Sequence, residues 1–296
     1  MIQLPNPFRP RHKGGMCSFP TQENEELLEL GRLQQYNSYW NHSKLNETKY
    51  FITRLKKLPP LSAYGNNFYD SHALGWWDAH RRMSMLEPLA ADVISSGIKG
   101  DFVEAGVFRG GISLFMANLL KITGQLGIRK MWMADLFGKG MPNTDYTNNW
   151  LKDHNIDIKS LELQGKNWSG MFRSPELSES HIKNNILEYL GLQYKSSIKT
   201  ISGLFENSLP GSIHKISLLR IDVDEYTATY NALQHLYPLI SRGGYVMFDD
   251  WKIWQAQQAI LQFRKEHNIS TPLFRTRRDW PLPHQSIDCM VYWKKD

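Results

Sequence analysis

Along the chain the rhythm of apolar and polar positions changes at Gly100. Before it the spacing is helical. From Gln22 to about Leu58, the apolar positions Leu27, Leu30, Leu33 and Leu45 fall among polar residues. Glu23, Glu25 and Glu26 supply negative charge suited to a helix start, and Pro59–Pro60 closes the stretch. A further helix is predicted from about Trp77 to Ser96, with Pro88 inside it and Gly97 ending it. After Gly100, short apolar runs alternate with helical stretches. Strands are predicted at Asp101–Ala105, Lys130–Ala134, Ile198–Ser202, Ile216–Ile221, Tyr245–Phe248 and Ser286–Trp293. Helices are predicted at Ile112–Ile122, His181–Leu190, Asp224–Leu239 and Ile253–His267. This alternation is that of an α/β domain with a mostly parallel, doubly wound sheet over 74–296. Residues 1–73 form an N-terminal arm and helical extension. Residues 136–178 are polar and aromatic with no clear period, and read as a lid insertion.

In a doubly wound sheet, ligands bind beyond the carboxyl ends of the strands, so strand-ending residues are where chemistry is sought. The first strand runs into the segment GDFVEAGVFRGG. Gly106 and the pair Gly110–Gly111 permit a tight turn, close approach of a ligand to the backbone, and a helix start. The spacing differs from the dinucleotide fingerprint, and no Lys-Ser/Thr follows to make a phosphate loop. Glu104, just before the first glycine, suits a cofactor with an ammonium group, as methionine-derived cofactors have. The next strand ends in Asp135, placed to accept hydrogen bonds from a ribose diol. The plainer alternatives are packing glycines and a turn-forming Asp.

Two later strands end in carboxylates, Asp222 and Asp224 on one and Asp249 and Asp250 on the next. Neighbouring parallel strands would gather them at one edge, where they repel unless a cation lies among them. Oxygen ligands favour Mg²⁺, with Mn²⁺ or Ca²⁺ as alternatives. Helix capping could occupy Asp224 and Asp250, yet it leaves the second Asp of each pair unexplained. A divalent ion beside a methyl-donor cofactor suggests acceptor-hydroxyl activation, with Asp224 as first candidate for the base. His154 and His181 follow.

Composition narrows the field. With 41% hydrophobic and 22% charged residues the chain is globular, and 10 Trp with 13 Tyr leave material for ring-shaped ligands. The net charge of +6 is spread over the ends, at residues such as Arg9, Arg11, Arg277 and Lys295, without a basic run interleaved with aromatics. Nucleic acid is therefore not the expected partner. Cys17 and Cys289 make neither a zinc spacing nor a disulfide framework. Neither a signal peptide nor a membrane span is expected, and the default location is cytoplasmic.

Taken together, DFVEAGVFRGGISLFMANLL, MWMADLF, LLRIDVDEYTATYNALQHLYPLISRGGYVMFDDW and AILQFRKEHNI resemble the macrocin O-methyltransferase family over roughly residues 74–270. The resemblance implies a Rossmann-like class I methyltransferase with a seven-stranded, mostly parallel sheet. It implies S-adenosylmethionine and Mg²⁺ as cofactors, and a sugar hydroxyl of a glycosylated natural product as acceptor. It places metal ligands at Asp222, Asp249 and Asp250, and a base at Asp224 or at a lid histidine, here His154. The cofactor residues it implies are Arg82, Asp135 and Phe137, with Ser202 and Gly203 near the adenine. A homo-oligomer also follows from it. Leu136-Phe137-Gly138-Lys139 and Val223 depart from the family pattern on the acceptor side. A catechol-like acceptor stays open. An NAD-dependent reductase and a non-catalytic scaffold are the remoter readings.

Overall fold

The computed structural model describes residues 78–140, 173, 175–251, 253–275 and 290–296. The expected arm and extension, His154 and most of the lid lie outside the described residues. The elements run α1 (Asp78–Ser95), β1 (Asp101–Ala105), α2 (Gly111–Ile122), β2 (Met131–Asp135), α3 (Glu179–Leu190) and β3 (Ile198–Ser202). Then follow the single turn α4 (Phe205–Ser208), β4 (Ile216–Ile221), α5 (Tyr226–Leu236), β5 (Ile240–Phe248), α6 (Trp254–Glu266), β6 (Phe274–Arg275) and β7 (Val291–Lys294). The strands form one seven-stranded sheet in the order β3-β2-β1-β4-β5-β7-β6. β1 to β5 are parallel, and β7 runs antiparallel to both β5 and β6.

Side chains alternate across the sheet, and each face has its own core. Phe102, Met131, Met133, Leu218, Tyr245 and Met247 pack with α1, α2 and α3. Val103, Ala105, Leu219, Ile221, Val246 and Phe248 pack with α5 and α6. α2 is buried from Gly111 to Leu120, which explains why its sequence is apolar on nearly every side. β1, β3 and β4 have the expected bounds. β5 does not, for it begins at Ile240 instead of Tyr245. The strand crosses the Gly243–Gly244 pair through a shift in its register with β4. Gly243 has φ +80°, and a Cβ on Gly244 would stand 2.8 Å from the Ser217 carbonyl oxygen. The two-residue β6 and the one-turn α4 are too short to carry a period and were not expected from the sequence. Among the described residues no helix is long and apolar enough to cross a membrane.

Candidate active site

The chain builds β1, β2 and β3 outward and then returns to lay β4 against the other side of β1. Connections therefore leave the sheet in opposite directions between β1 and β4, and a cleft opens there. Its walls include Gly106, Phe108, Asp135, Leu136, Gly203 and Leu204 on one side and Asp222, Val223 and Asp224 on the other.

Gly106 makes the turn possible. Its φ is +86°, and a Cβ there would lie 1.9 Å from the carbonyl oxygen of Asp222. Its amide donates to Ala134 O at 2.9 Å, while the Asp222 amide donates to Ala105 O at 2.8 Å. Asp135 ties the turn to β2. Its Oδ2 accepts from the amides of Val107 (2.5 Å) and Phe108 (3.1 Å), and its Oδ1 from the amide of Phe137 (2.9 Å). Phe108 and Phe137 are held in the left-handed region at φ 50° and 51°. Gly110 is the N-cap of α2 at φ 80°, and Gly111 is buried in the first turn. Gly203 lines the cleft, whereas Ser202 faces a second depression with Phe137, Lys183 and Lys195. There its Oγ accepts from Lys139 Nζ at 3.2 Å. Arg82 lies on α1, His181 in the first turn of α3. For Arg82 only the backbone is described.

The acidic edge has a centre that the sequence reading did not single out. Glu104 is the register partner of Arg220, and Arg220 that of Met247. Alternation then puts Glu104, Arg220, Asp222 and Asp249 on one face of three adjacent strands. Arg220 is 1% exposed and pairs with Glu104, with Asp222 (Nη2–Oδ2 2.6 Å) and with Asp249, to which Nε also donates at 3.2 Å. The signal was present in ISLLRI: a charge on the face of Leu218, two residues before Asp222, has to be paired inside. Glu104 is also 1% exposed, accepts from the Ser113 hydroxyl, and is not among the residues lining the cleft.

Capping does not occupy the other two aspartates. Glu225, not Asp224, caps α5, accepting from the Ala228 amide at 2.8 Å. The N-cap of α6 is Ile253, and Asp250 Oδ2 instead accepts from the Asp224 amide at 2.9 Å. Asp224 itself has φ 60°. Burial, then the charges of Asp224, Asp222 and Asp249, hold the Asp250 carboxyl well above its ordinary range. An all-oxygen donor set whose members repel each other fits a hard divalent cation in chemistry and charge. Among the described residues, no three such side chains already stand around a common point as a ligand set. Arg220 draws two of them to itself.

Burial pushes the Glu104 carboxyl up to about 7, against the pull of Arg220 and the Ser113 hydroxyl. One guanidinium cannot neutralise three carboxylates. Arg220 stays charged, and burial wins at Glu104. The folded state therefore keeps a proton that the unfolded chain releases from about pH 4.5 upward. This contribution to stability is full below that pH and is lost as pH rises through about 7. Thermal midpoints followed from pH 5 to pH 8 are expected to fall less in Glu104→Gln than in wild type, by about a few degrees. Parallel curves for the two proteins would show that Glu104 is ionised throughout.

A family model, Macrocin-O-methyltransferase (TylF), matches residues 77–295. The chain belongs to this family. It is 32% identical over 194 residues to the 8-demethyl-8-(2,3-dimethoxy-alpha-L-rhamnosyl)-tetracenomycin-C 4'-O-methyltransferase of Streptomyces olivaceus, covering 65% of this chain and 69% of that one. The demethyldecarbamoylnovobiocin O-methyltransferase of Streptomyces niveus is 28% identical over 217 residues, 73% of each chain. Among solved structures, the O-methyltransferase NovP superposes with a TM-score of 0.57 at 26% identity, covering 73% of this chain and 79% of that one. Family and fold together make the chain a class I, S-adenosylmethionine-dependent O-methyltransferase.

Proposed function

We propose that the chain transfers the methyl group of S-adenosylmethionine to a sugar hydroxyl of a natural product, with a divalent metal ion held by Asp222, Asp249 and Asp250. One observation carries this reading: a single cleft is walled by the glycine turn with Asp135 on one side and by Asp222 and Asp224 on the other. Methyl donor and acceptor would thus be neighbours, and holding two reactants in line supplies much of the acceleration. The turn at Gly106 would let backbone approach the cofactor, and Asp135, at the end of β2, would face its ribose. A divalent ion held by Asp222, Asp249 and Asp250 would supply Lewis acidity, lowering the pKa of an acceptor hydroxyl. Asp224 receives the proton, and the acceptor oxygen forms its bond to the methyl carbon as the sulfur–methyl bond breaks. S-adenosylhomocysteine is the leaving product. The rhamnosyl tetracenomycin named for the Streptomyces olivaceus relative supports a glycosylated acceptor.

Calorimetry with S-adenosylhomocysteine is expected to give affinity on the order of micromolar. Transfer of labelled methyl to rhamnosylated acceptors should stop in EDTA and return with Mg²⁺ or Mn²⁺. Asp222→Asn should lose that metal response while still binding S-adenosylhomocysteine. Absence of binding under every condition overturns the methyltransferase reading; transfer undiminished in EDTA overturns the metal. Labelling of a catechol in preference to the glycosides moves the acceptor to the phenolic class.

A further inference from the structure

Arg220 is a costly residue at its position. It is buried mid-sheet, one step along the face from Leu218, where an apolar side chain would pack without desolvating a charge. Its guanidinium instead reaches Glu104 on β1, Asp249 just past β5, and Asp222 just past its own strand. Asp222 joins this cluster to the cofactor cleft. Its Oδ2 accepts from Arg220 Nη2 at 2.6 Å, its amide bonds Ala105 O, and its carbonyl closes against Gly106. If the carboxylates drew apart, Asp222 would move, and the turn at Gly106 with it.

We propose that Arg220 is a positioning residue, the resident counter-cation of the acidic edge. It keeps Asp222 and Asp249 together with no metal bound, so the cofactor cleft is formed before a divalent ion arrives. This rests on the reading that the edge takes such an ion. It predicts that cofactor binding does not depend on metal in the wild type and comes to depend on it once Arg220 is removed.

The test is calorimetry with S-adenosylhomocysteine in EDTA and in Mg²⁺, on wild type, Arg220→Lys and Arg220→Met, with circular dichroism of each. Wild-type affinity should agree within about threefold between the two buffers, while Arg220→Met should lose about tenfold or more in EDTA and regain most of it in Mg²⁺. Arg220→Lys, which keeps the charge and loses the fork, should fall between. Recovery of Arg220→Met from an unfolded state on adding Mg²⁺ would support the same role. A wild type that binds S-adenosylhomocysteine in Mg²⁺ but not in EDTA overturns the proposal, as does an Arg220→Met protein equally affected, or unaffected, in both buffers. A wild type that binds it in neither buffer fails the methyltransferase reading instead, so the two failures are distinct. Should Arg220→Met stay unfolded in both buffers, the wild-type and Arg220→Lys comparisons decide.

Discussion

Gly106→Ala is expected to abolish S-adenosylhomocysteine binding. The added carbon would sit 1.9 Å from the carbonyl oxygen of Asp222 and 2.6 Å from its carbonyl carbon, both backbone atoms that cannot swing aside. The φ of +86° adds strain of its own. Clashes of this kind belong with the substitutions that cost more than about 4 kcal/mol. The relief open to the chain is to part β1 from β4 at their carboxyl ends, which is where the cleft lies. Calorimetry gives the binding and circular dichroism the fold. Affinity within threefold of wild type would mean that the turn can be made without a glycine.

Asp224→Asn is expected to lower the rate of methyl transfer by about 10² to 10⁴, the span over which a positioned base contributes. Asparagine is chosen because it tolerates the left-handed backbone that Asp224 holds at φ 60°. Its amide should still donate to Asp250, so the loop keeps its shape and only the proton acceptor is gone. S-adenosylhomocysteine affinity should stay within a few-fold. Single-turnover transfer of labelled methyl reads the effect, with His154→Gln measured alongside. A rate within tenfold of wild type for Asp224→Asn, and a collapse for His154→Gln, would hand the base to the histidine.

The frame of the site could be read from the sequence because β1, β3 and β4 are short, largely apolar runs, each followed directly by a glycine or an aspartate: Gly106, Gly203 and Asp222. DFVEA, IKTIS and ISLLRI stop where the structure stops them. The start of β5 was hidden because Ser241, Arg242 and the glycine pair look like a turn, although the strand runs through them, paired to β4 on either side at Ile240 and Tyr245 and bonded at Gly243 and Gly244 to Lys295. Capping was the alternative for Asp224, and the structure removes it. Asp224 stands just before a helix, as a cap would, yet Glu225 takes the duty, which no local pattern distinguishes. Arg220 was the costliest omission. The carboxylates advertised a missing positive charge, and a metal was the expected answer. The protein's own cation stood two residues before Asp222, inside a strand where a charged side chain is easily passed over.

Four non-glycine residues in the described chain have positive φ, and two of them, Phe108 and Asp224, line the cleft. Each such residue raises the energy of the native state by about 1–2 kcal/mol relative to a glycine in the same conformation. A campaign of random mutagenesis selected only for heat tolerance would therefore be drawn to relieve strain at Phe108 and Asp224, and would spend that gain on the walls of the active site. Variants recovered that way should unfold later and turn over more slowly. Selection for robustness in this protein has to be run with the methyl-transfer assay as a second gate.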